Sequence, residues 1–280
     1  MNGIGLEHDA RHRYFLNGEG PITSVTTALG IYDKSDVLTG WAKRETAVAA
    51  VRYHEDIVAH MTHHQESPVQ NCAICASSHE WKGAADAVVN FLKRTPGYQK
   101  DAAASMGTLV HRLAEQAITG VWTEPIPTGA QPFVTQYQRW MANDRPEFLL
   151  NEVAVYSATH NYAGTLDMIC RIGGDTWLLD LKTGGDWTKG TGVYPEMALQ
   201  LEAYGYAESY GFSADPNLRP MPDIDHFGIL NVRPEGYRLV PFDVRPDTFE
   251  AFLHTLSLYR WKDTKSNRVM GQDMPIKEIA

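Results

Sequence analysis

The chain has 280 residues, of which 43% are hydrophobic, and this length and composition allow a large buried core. No segment approaches the roughly 18 consecutive apolar residues of a membrane span, and the first residues lack the apolar run of a secretory signal. The three cysteines are too few for a disulfide framework. We therefore expect a soluble protein of the reducing cytoplasm with no membrane partner.

The formal net charge of −9 argues against the uniformly basic surface that commonly grips nucleic-acid phosphates. Acidic residues that hold divalent cations contribute to such a charge, however, and bound metals then offset it. A nucleic-acid partner would therefore depend on local basic clusters. Three stretches supply them, with solvated helix faces as the alternative for each: Lys43, Arg44 and Arg52; Lys93, Arg94 and Lys100; and Arg260, Lys262, Lys265 and Arg268.

The first half of the chain is predicted to be mostly helical. β-Branched residues interrupted by Gly and Pro in RYFLNGEGPITSV favour a short hairpin, after which the pattern becomes amphipathic. Helices are predicted over about 36–60, 79–94, 101–119 and 132–143. The polar segment between the first two helices has no periodicity, and we interpret it as an inserted loop.

The second half is predicted to contain the sheet. The strands NEVAVYS, GTLDMICRI and TWLLDLKT are separated by turn residues and should form an antiparallel meander. A helix over about 195–210, the strands HFGILNV and YRLVPFDV and a helix over about 247–261 follow. These elements predict a mixed α/β (α+β) fold with a central mixed sheet flanked by helices. The predicted division is an N-terminal hairpin and helical region, 1–100, and a core, 101–280.

The residues Asp180-Leu181-Lys182 end the apolar strand TWLLDLKT. Strand alternation places the Asp180 carboxylate and the Lys182 ammonium on the same face. A carboxylate can hold a hard divalent cation, while a lysine can orient or help to deprotonate water and stabilise charge on phosphoryl oxygens. The alternative is a simple ion pair at a strand end, and the tripeptide alone does not decide between the two.

A second carboxylate, Asp167, lies one strand upstream in GTLD. The turn Gly173-Gly174 makes the two strands antiparallel neighbours, so Asp167 and Asp180 can share a metal ion. A structural Asp that caps a turn is the alternative for Asp167 alone.

Two helices supply further polar residues with a spacing of four. His111 and Glu115 share one helix face, and Gln200 and Tyr204 share another. A neutral imidazole is a common metal ligand, whereas Gln200 and Tyr204 suit contacts to the attacking water or to a substrate phosphate. Ordinary amphipathic polarity is the alternative for each residue.

The inserted segment carries a Cys-x2-Cys pair, Cys72 and Cys75, among several histidines. Two thiolates at this spacing can share one Zn²⁺, and two imidazoles would complete a structural site. His60 and His64 fall on one helix face, and His79 competes for one of the two places. A polar loop with incidental cysteines is the alternative.

In order along the chain, GTLVH, NEVAV, AGTLD, LLDLKTG and QLEAYGYA resemble the RecB-like and phage-exonuclease branch of the PD-(D/E)xK nuclease superfamily. The resemblance covers about residues 101–210, and SVTTALG is similar to the leader of phage members. It implies a restriction-endonuclease-like core, two Mg²⁺ or Mn²⁺ ions and DNA cleavage. The iron–sulfur members of the branch need four cysteines, so we expect no iron–sulfur cluster in a chain that has only Cys72, Cys75 and Cys170.

The resemblance also implies roles for individual residues. His111, Asp167 and Asp180 would be metal ligands together with the backbone carbonyl of Leu181, and Lys182 would be the catalytic lysine. Glu152 matches the upstream acidic position, with a supporting role, and Gln200 and Tyr204 match the helix motif that follows the active strand.

The leading hypothesis is a DNA exonuclease of phage-type recombination, replication or repair, located in the host cytoplasm if a phage encodes it. DNA would be its partner, with a single-strand annealing or recombination protein as a further candidate. A non-catalytic DNA-end-binding or scaffold protein on the same fold is one alternative, and a restriction-type endonuclease is another, although no base-reading module is visible. Polarity of cleavage and oligomeric state stay open.

Overall fold

The computed structural model describes residues 5–9, 13–32, 35–63, 73–74, 83–184, 187, 192–212, 215, 217–243, 245–269 and 271. The chain divides into two compact units, Asp33–Thr108 and a core made of Met1–Tyr32 with Leu109–Ala280. This division differs from the predicted boundary at residue 100. The N-terminal hairpin belongs to the core because its last strand pairs with a strand of the core sheet.

The predicted N-terminal hairpin is present and is followed by a short helix. Its strands are β1 (Leu6–His8), β2 (Tyr14–Leu16) and β3 (Glu19–Ser24), and they pair antiparallel in order. The helix α1 (Val25–Leu29) begins where the Ser24 hydroxyl accepts a hydrogen bond from the backbone N–H of Thr27 at 3.1 Å.

The unit Asp33–Thr108 is helical. The predicted helix over 36–60 is divided near Tyr53 into α2 (Ser35–Arg52) and α3 (His54–His63). The helix α4 (Ala84–Thr119) begins in this unit. A small apolar cluster of Ile74, Ala87 and Val88 is buried, with Ile57, Phe91 and Leu92 packed against it.

The continuous helix α4 replaces the two helices predicted over 79–94 and 101–119. The helix contains Pro96, which cannot donate the intrahelical hydrogen bond. The helix nevertheless continues through Pro96, with the Thr95 hydroxyl donating to the Phe91 carbonyl one turn earlier at 3.0 Å. Good helix formers on both sides outweigh the cost of one proline.

The core unit continues with α5 (Gln131–Asp144) and the predicted meander, which the structure confirms. Its strands are β4 (Glu147–Ser157), β5 (Tyr162–Ile172) and β6 (Asp175–Lys182), and both neighbouring pairs are antiparallel. Gly173 and Gly174 form the β5–β6 turn with φ of 64° and 103°, a conformation that glycine adopts without strain.

The remaining elements complete a ten-stranded mixed sheet. They are α6 (Glu196–Gly205), β7 (Ser209–Gly211), β8 (Arg219–Pro220), β9 (His226–Arg233), β10 (Gly236–Phe242), α7 (Pro246–Thr264) and a final 3-10 turn, Ser266–Arg268. β3 pairs parallel with β5, and β6 pairs parallel with β9, so the sheet combines these two parallel pairs with the antiparallel meander. The predicted mixed α/β architecture is therefore present.

Helices flank this sheet and bury its apolar side chains. α1, α6 and α7 pack together over the core cluster, in which Tyr162 meets Phe252 edge to face at 5.0 Å. α5 packs against β9 and β10, where Asn143 donates to the Tyr237 hydroxyl at 2.9 Å. No helix in the described part of the chain has the length and apolar character to cross a membrane.

Candidate functional site

The candidate site lies where the strand ladders around β5 are interrupted. Pairing between β5 and β6 ends at Met168 and Leu179, one residue before Asp167 and Asp180 would face each other. On the other side of β5, the β4 ladder pairs Asn151 with Met168 and then Val153 with Leu166, which leaves out Glu152 and Asp167. The carboxylates of Glu152, Asp167 and Asp180 therefore lie at one level of the sheet, where the strands separate. We call this place the fork.

On the side that faces β5, the Leu181 peptide has no strand partner, and side chains contact it there instead. Its N–H donates to Asp167 Oδ2 at 2.6 Å, and its carbonyl lies 2.9 Å from His111 Nε2. A carbonyl can only accept, so His111 Nε2 carries a hydrogen in this arrangement. The Leu181 carbonyl, which the resemblance assigned as a metal ligand, is thus turned into the fork rather than into the sheet.

His111 also faces two carboxylates through its other ring nitrogen. Nδ1 lies 3.5 Å from Glu152 Oε1 and 3.6 Å from Asp167 Oδ2. Burial of the ring disfavours the charged form, but Glu152 and Asp167 outweigh that effect and raise the pKa of His111 to about 9. At neutral pH His111 is therefore an imidazolium that balances the neighbouring negative charge.

The carboxyl group of Asp167 is itself perturbed. Burial and the nearby charge of Asp180 raise the pKa of Asp167 to about 7, against the lowering effect of His111 and Lys182. Crowded, desolvated carboxylates of this kind are costly to keep charged without a cation. A cation bound beside Asp167 would favour its charged form.

Asp180 and Lys182 form an ion pair at the end of β6. Burial alone would lower the pKa of Lys182, but Asp180 and Asp167 outweigh it and raise that pKa, so the ammonium is retained. Asp180 is only 2% exposed, and its second oxygen accepts a hydrogen bond from Gln200 Nε2 at 2.9 Å. The predicted same-face arrangement of the pair is present.

Gln200 and Tyr204 lie together on the face of α6 that meets the fork. Gln200 Nε2 is 3.2 Å from the Tyr204 hydroxyl, and the Tyr204 ring packs directly on Gly164 of β5. A Cβ on Gly164 would lie 2.5 Å from the Tyr204 ring, so only glycine allows this approach. Gln200 holds Asp180 in place and Tyr204 supports Gln200, while their contact to water or phosphate stays a prediction.

Glu152 occupies a more central position than the supporting role predicted for it. It adopts φ of 48° in the middle of β4, a left-handed conformation that costs a non-glycine residue roughly 1–2 kcal/mol. This conformation interrupts the ladder and brings the carboxylate to His111. The strain occurs at the candidate site itself, which is where such strain commonly has a functional reason.

The residues of the fork fit a divalent cation. One ligand atom from each of His111, Glu152 and Asp167 lies within 4.8 Å of the other two, and the Leu181 carbonyl contacts the same imidazole. Carboxylate and carbonyl oxygens with one imidazole are a donor set suited to Mg²⁺ or Mn²⁺. Asp180, also predicted as a ligand, contacts Lys182 and Gln200, and its role as a ligand stays a prediction.

Sequence reasoning did not identify Tyr14 as a neighbour of this site. Tyr14 on β2 is 4% exposed, and its hydroxyl is 2.8 Å from that of Thr165, two residues before Asp167. Burial raises the pKa of Tyr14, and Glu152 raises it further. The pairing of β3 with β5 brings this hairpin to the site, and no local pattern in the sequence encodes that pairing.

The zinc hypothesis concerns residues that the structure mostly does not describe. Cys72, Cys75, His64 and His79 lie outside the described residues. His60 is described and is fully buried on α3. The zinc site stays a prediction.

No protein-family model matches the chain, and no curated protein matches it. Among solved structures, it is similar to the one titled "Crystal structure of SSO0001", with 14% sequence identity and a TM-score of 0.30. That similarity covers 57% of this chain and 74% of the other. It is too low to assign a fold family or a function.

Proposed function

We propose that this chain is a metal-dependent deoxyribonuclease with a PD-(D/E)xK core, acting as an exonuclease in phage-type recombination, replication or repair. One observation carries the proposal. The Leu181 peptide at the strand fork is contacted by His111 and Asp167, and the two residues beside it, Asp180 and Lys182, form a carboxylate–ammonium pair. Carboxylates, an imidazole and a lysine around one backbone carbonyl suit phosphodiester hydrolysis.

His111, Glu152, Asp167 and the Leu181 carbonyl would hold a cation, with Asp180 as the remaining carboxylate of a two-metal set. A bound Mg²⁺ or Mn²⁺ supplies positive charge that stabilises the attacking and leaving oxygens of an in-line displacement at phosphorus.

Lys182 supplies charge rather than acting as a base. The neighbouring carboxylates raise the pKa of Lys182, so its Nζ keeps its protons at neutral pH. An ammonium at this position orients a water molecule and stabilises the negative charge that develops on the phosphoryl oxygens. The ion pair with Asp180 fixes its position before substrate arrives.

Gln200, Tyr204 and Gly164 act through Asp180. The Gln200 amide donates to Asp180, and Tyr204, packed on Gly164, limits the movement of Gln200. Positioning of this kind matters because a small displacement of a metal ligand costs catalytic rate.

The test is digestion of end-labelled linear, nicked and circular DNA of the same sequence with Mg²⁺ or Mn²⁺. An exonuclease removes linear DNA and leaves covalently closed circles intact. Cleavage of the circles would replace the exonuclease with an endonuclease on the same site. DNA binding without cleavage of any form, by folded protein supplied with metal, would support the non-catalytic alternative.

A further inference from the structure

A cleft with a volume of about 840 Å³ lies between α7, β3 and the β4–β5 turn, residues 158–161. Its volume falls within the range of about 300–1,000 Å³ that is typical of small-molecule sites. Thr23 lines the cleft and pairs with Tyr162, which stands five residues before Asp167 on β5. At about 3.3 Å per strand residue, Tyr162 lies about 16 Å from the fork, so the cleft is a separate place.

The β4–β5 turn is held by hydrogen bonds within the protein. The Glu208 carboxylate accepts hydrogen bonds from the backbone N–H groups of Ala158 and Thr159, at 2.8 and 3.3 Å. The Ser157 hydroxyl accepts one from the backbone N–H of His160 at 3.2 Å. Thr159 and His160 both line the cleft. This wall is therefore preformed, which lowers the entropy cost of binding a ligand.

The charges that line the cleft favour an anion. Two cations, Arg260 and Lys265, stand against one carboxylate, Asp263. Arg260 Nη2 donates to the Asn161 carbonyl at 2.7 Å, which fixes the guanidinium at the turn. Burial lowers the pKa of Arg260, and neither cation forms an ion pair within the described part of the chain. A partly desolvated guanidinium with further N–H groups to donate suits the oxygens of a phosphate.

The rest of the lining suits a sugar and a planar base. The Trp261 side chain is 45% exposed at the cleft, and an indole face is a platform on which a nucleobase stacks. Thr23, Thr159 and Ser257 add hydroxyl groups that donate to or accept from phosphate and sugar oxygens. A fixed guanidinium, a lysine, hydroxyl groups and an exposed aromatic side chain together match the parts of a nucleotide.

We propose that this cleft binds a nucleotide, with the phosphate on Arg260 and Lys265 and the base against Trp261. Binding there requires neither a metal ion nor the carboxylates of the fork. The proposal therefore goes beyond the proposed nuclease function and is tested independently of it.

The test is calorimetric titration of the protein with deoxyadenosine 5′-monophosphate in the presence of EDTA, which keeps divalent metal out of the fork. Deoxyadenosine and inorganic phosphate are titrated separately. Each should bind at least about tenfold more weakly than the nucleotide, because each lacks one part of the contacts. A 5′-phosphorylated single strand is then added as a competitor: displacement of the nucleotide assigns the cleft to a DNA end, and its absence assigns the cleft to the free nucleotide.

Variants of the two cations test the phosphate contact. Arg260→Ala should weaken nucleotide binding by about tenfold, because a charge-assisted hydrogen bond is lost. Lys265→Ala should weaken it several-fold and keeps the contact between Arg260 and Asn161, so it tests the same phosphate if Arg260→Ala lowers the Tm. Trp261→Ala should weaken binding of the nucleotide but not of inorganic phosphate.

Lys262→Ala is the matched control. Lys262 lies on the same helix but lines a separate cavity of about 300 Å³ with Thr27 and Gly30. It should bind the nucleotide as the unsubstituted protein does. Equal weakening in Lys262→Ala, or equal affinities for the nucleotide and deoxyadenosine, would overturn the phosphate contact. Absence of nucleotide binding by the folded protein would overturn the cleft as a site, whereas cleavage of linear DNA, measured in parallel, reports on the proposed function alone.

Discussion

The helix α6 contributes to two regions that each contain a buried carboxylate. The two regions stabilise that carboxylate in different ways. In the fork, Asp180 is 2% exposed and is held by Lys182 and by Gln200 from α6. Glu202, two residues further along α6, is completely buried and faces the start of α7. One carboxylate is surrounded by side chains that can do chemistry, and the other by backbone groups at a helix end.

The contacts of Glu202 are weaker and purely structural. The backbone N–H groups of Arg245 and Phe249 and the Thr248 hydroxyl lie near its carboxylate, yet neither oxygen has a hydrogen bond of regular geometry. Burial outweighs these groups and raises the pKa of Glu202. The comparison teaches that burial alone does not mark a site. A site needs cations and several converging carboxylates, as the fork has.

The largest expected effect is loss of cleavage on removal of Asp180 or Lys182. Asp180→Ala and Lys182→Ala should each reduce the rate of DNA cleavage by at least about 10²–10³-fold, because metal binding or stabilisation of phosphoryl charge is lost. The measurement is initial rate on linear DNA, with thermal unfolding and DNA binding as checks that the fold is kept. Asp180→Ala should also weaken Mn²⁺ binding.

Asp175→Ala supplies the control for these two variants. Asp175 is an exposed aspartate at the start of the same strand, paired with His226 at 3.1 Å. It should cleave at the unsubstituted rate. If folded Asp180→Ala or Lys182→Ala protein does the same, the fork is not the catalytic centre.

The second prediction separates function from stability at Glu152. Glu152→Gln and Glu152→Gly should both lose metal affinity, by about 10–100-fold, because the carboxylate is gone. Only glycine also relieves the left-handed φ of 48°, so Glu152→Gly should be more stable than Glu152→Gln by roughly 1 kcal/mol. Urea unfolding and calorimetric metal titration measure the two effects. A glycine variant less stable than the glutamine variant would show that the conformation carries no strain.

The third prediction concerns pH. The pKa of Asp167 is raised to about 7, so between about pH 4 and 7 the folded state binds more protons than the unfolded chain and stability falls as pH rises. The pKa of His111 is raised to about 9, so its contribution is present below about pH 6.5 and is lost as pH rises through about 9. Both effects destabilise the metal-free protein with increasing pH.

Metal reverses this trend because it replaces the protons of His111 and Asp167. The Tm increase produced by Mg²⁺ should therefore grow from pH 6 to pH 9, and calorimetry in buffers of different ionisation enthalpy should detect proton release. Asp167→Asn should reduce the fall in metal-free stability between about pH 4 and 7. A Mg²⁺ effect that is constant with pH would contradict the assignment of His111 and Asp167 as ligands.

The fourth prediction tests the neighbour that sequence reasoning missed. Tyr14→Phe removes the hydroxyl that meets Thr165 and should lower kcat several-fold through Thr165 and Asp167, at a cost in stability of about 1 kcal/mol. Tyr162→Phe is the matched control, since its buried hydroxyl donates to the Ala203 carbonyl at 2.7 Å on the same sheet. It should cost similar stability without lowering kcat. Equal kcat values for the two variants would give Tyr14 a structural role only.

The sequence was informative where regular strand geometry determines the position of a side chain from the spacing of residues along the chain. Alternation in TWLLDLKT and the Gly173-Gly174 turn were enough to predict Asp167 and Asp180 on neighbouring strands and Lys182 on the same face as Asp180. The fork itself was not predictable, because it depends on the left-handed conformation of Glu152, for which the strand NEVAV contains no glycine or other local signal.

Contacts that depend on long-range strand pairing could not be predicted from the sequence either. Tyr14 reaches the site through the β3–β5 pairing, and this contact does not follow from local patterns. The two helices predicted over 79–94 and 101–119 are one helix for a different reason, since good helix formers on both sides tolerate the proline inside it. The fold class was therefore more accessible than the contacts that complete the site.

The smallest expected effect lies in the region without chemistry. The raised pKa of Glu202 means that the folded state favours its protonated form. The free energy of unfolding therefore falls as pH rises from the pKa of Glu202 in the unfolded chain to its raised pKa in the folded protein. Glu202→Gln imitates the protonated form and should equal or slightly exceed the unsubstituted protein in Tm at pH 8, with the difference shrinking towards pH 4. DNA cleavage should be unchanged because the Gln200–Asp180 contact is kept. A large loss of cleavage in a stable Glu202→Gln protein would show that Glu202 contributes to the function of the fork.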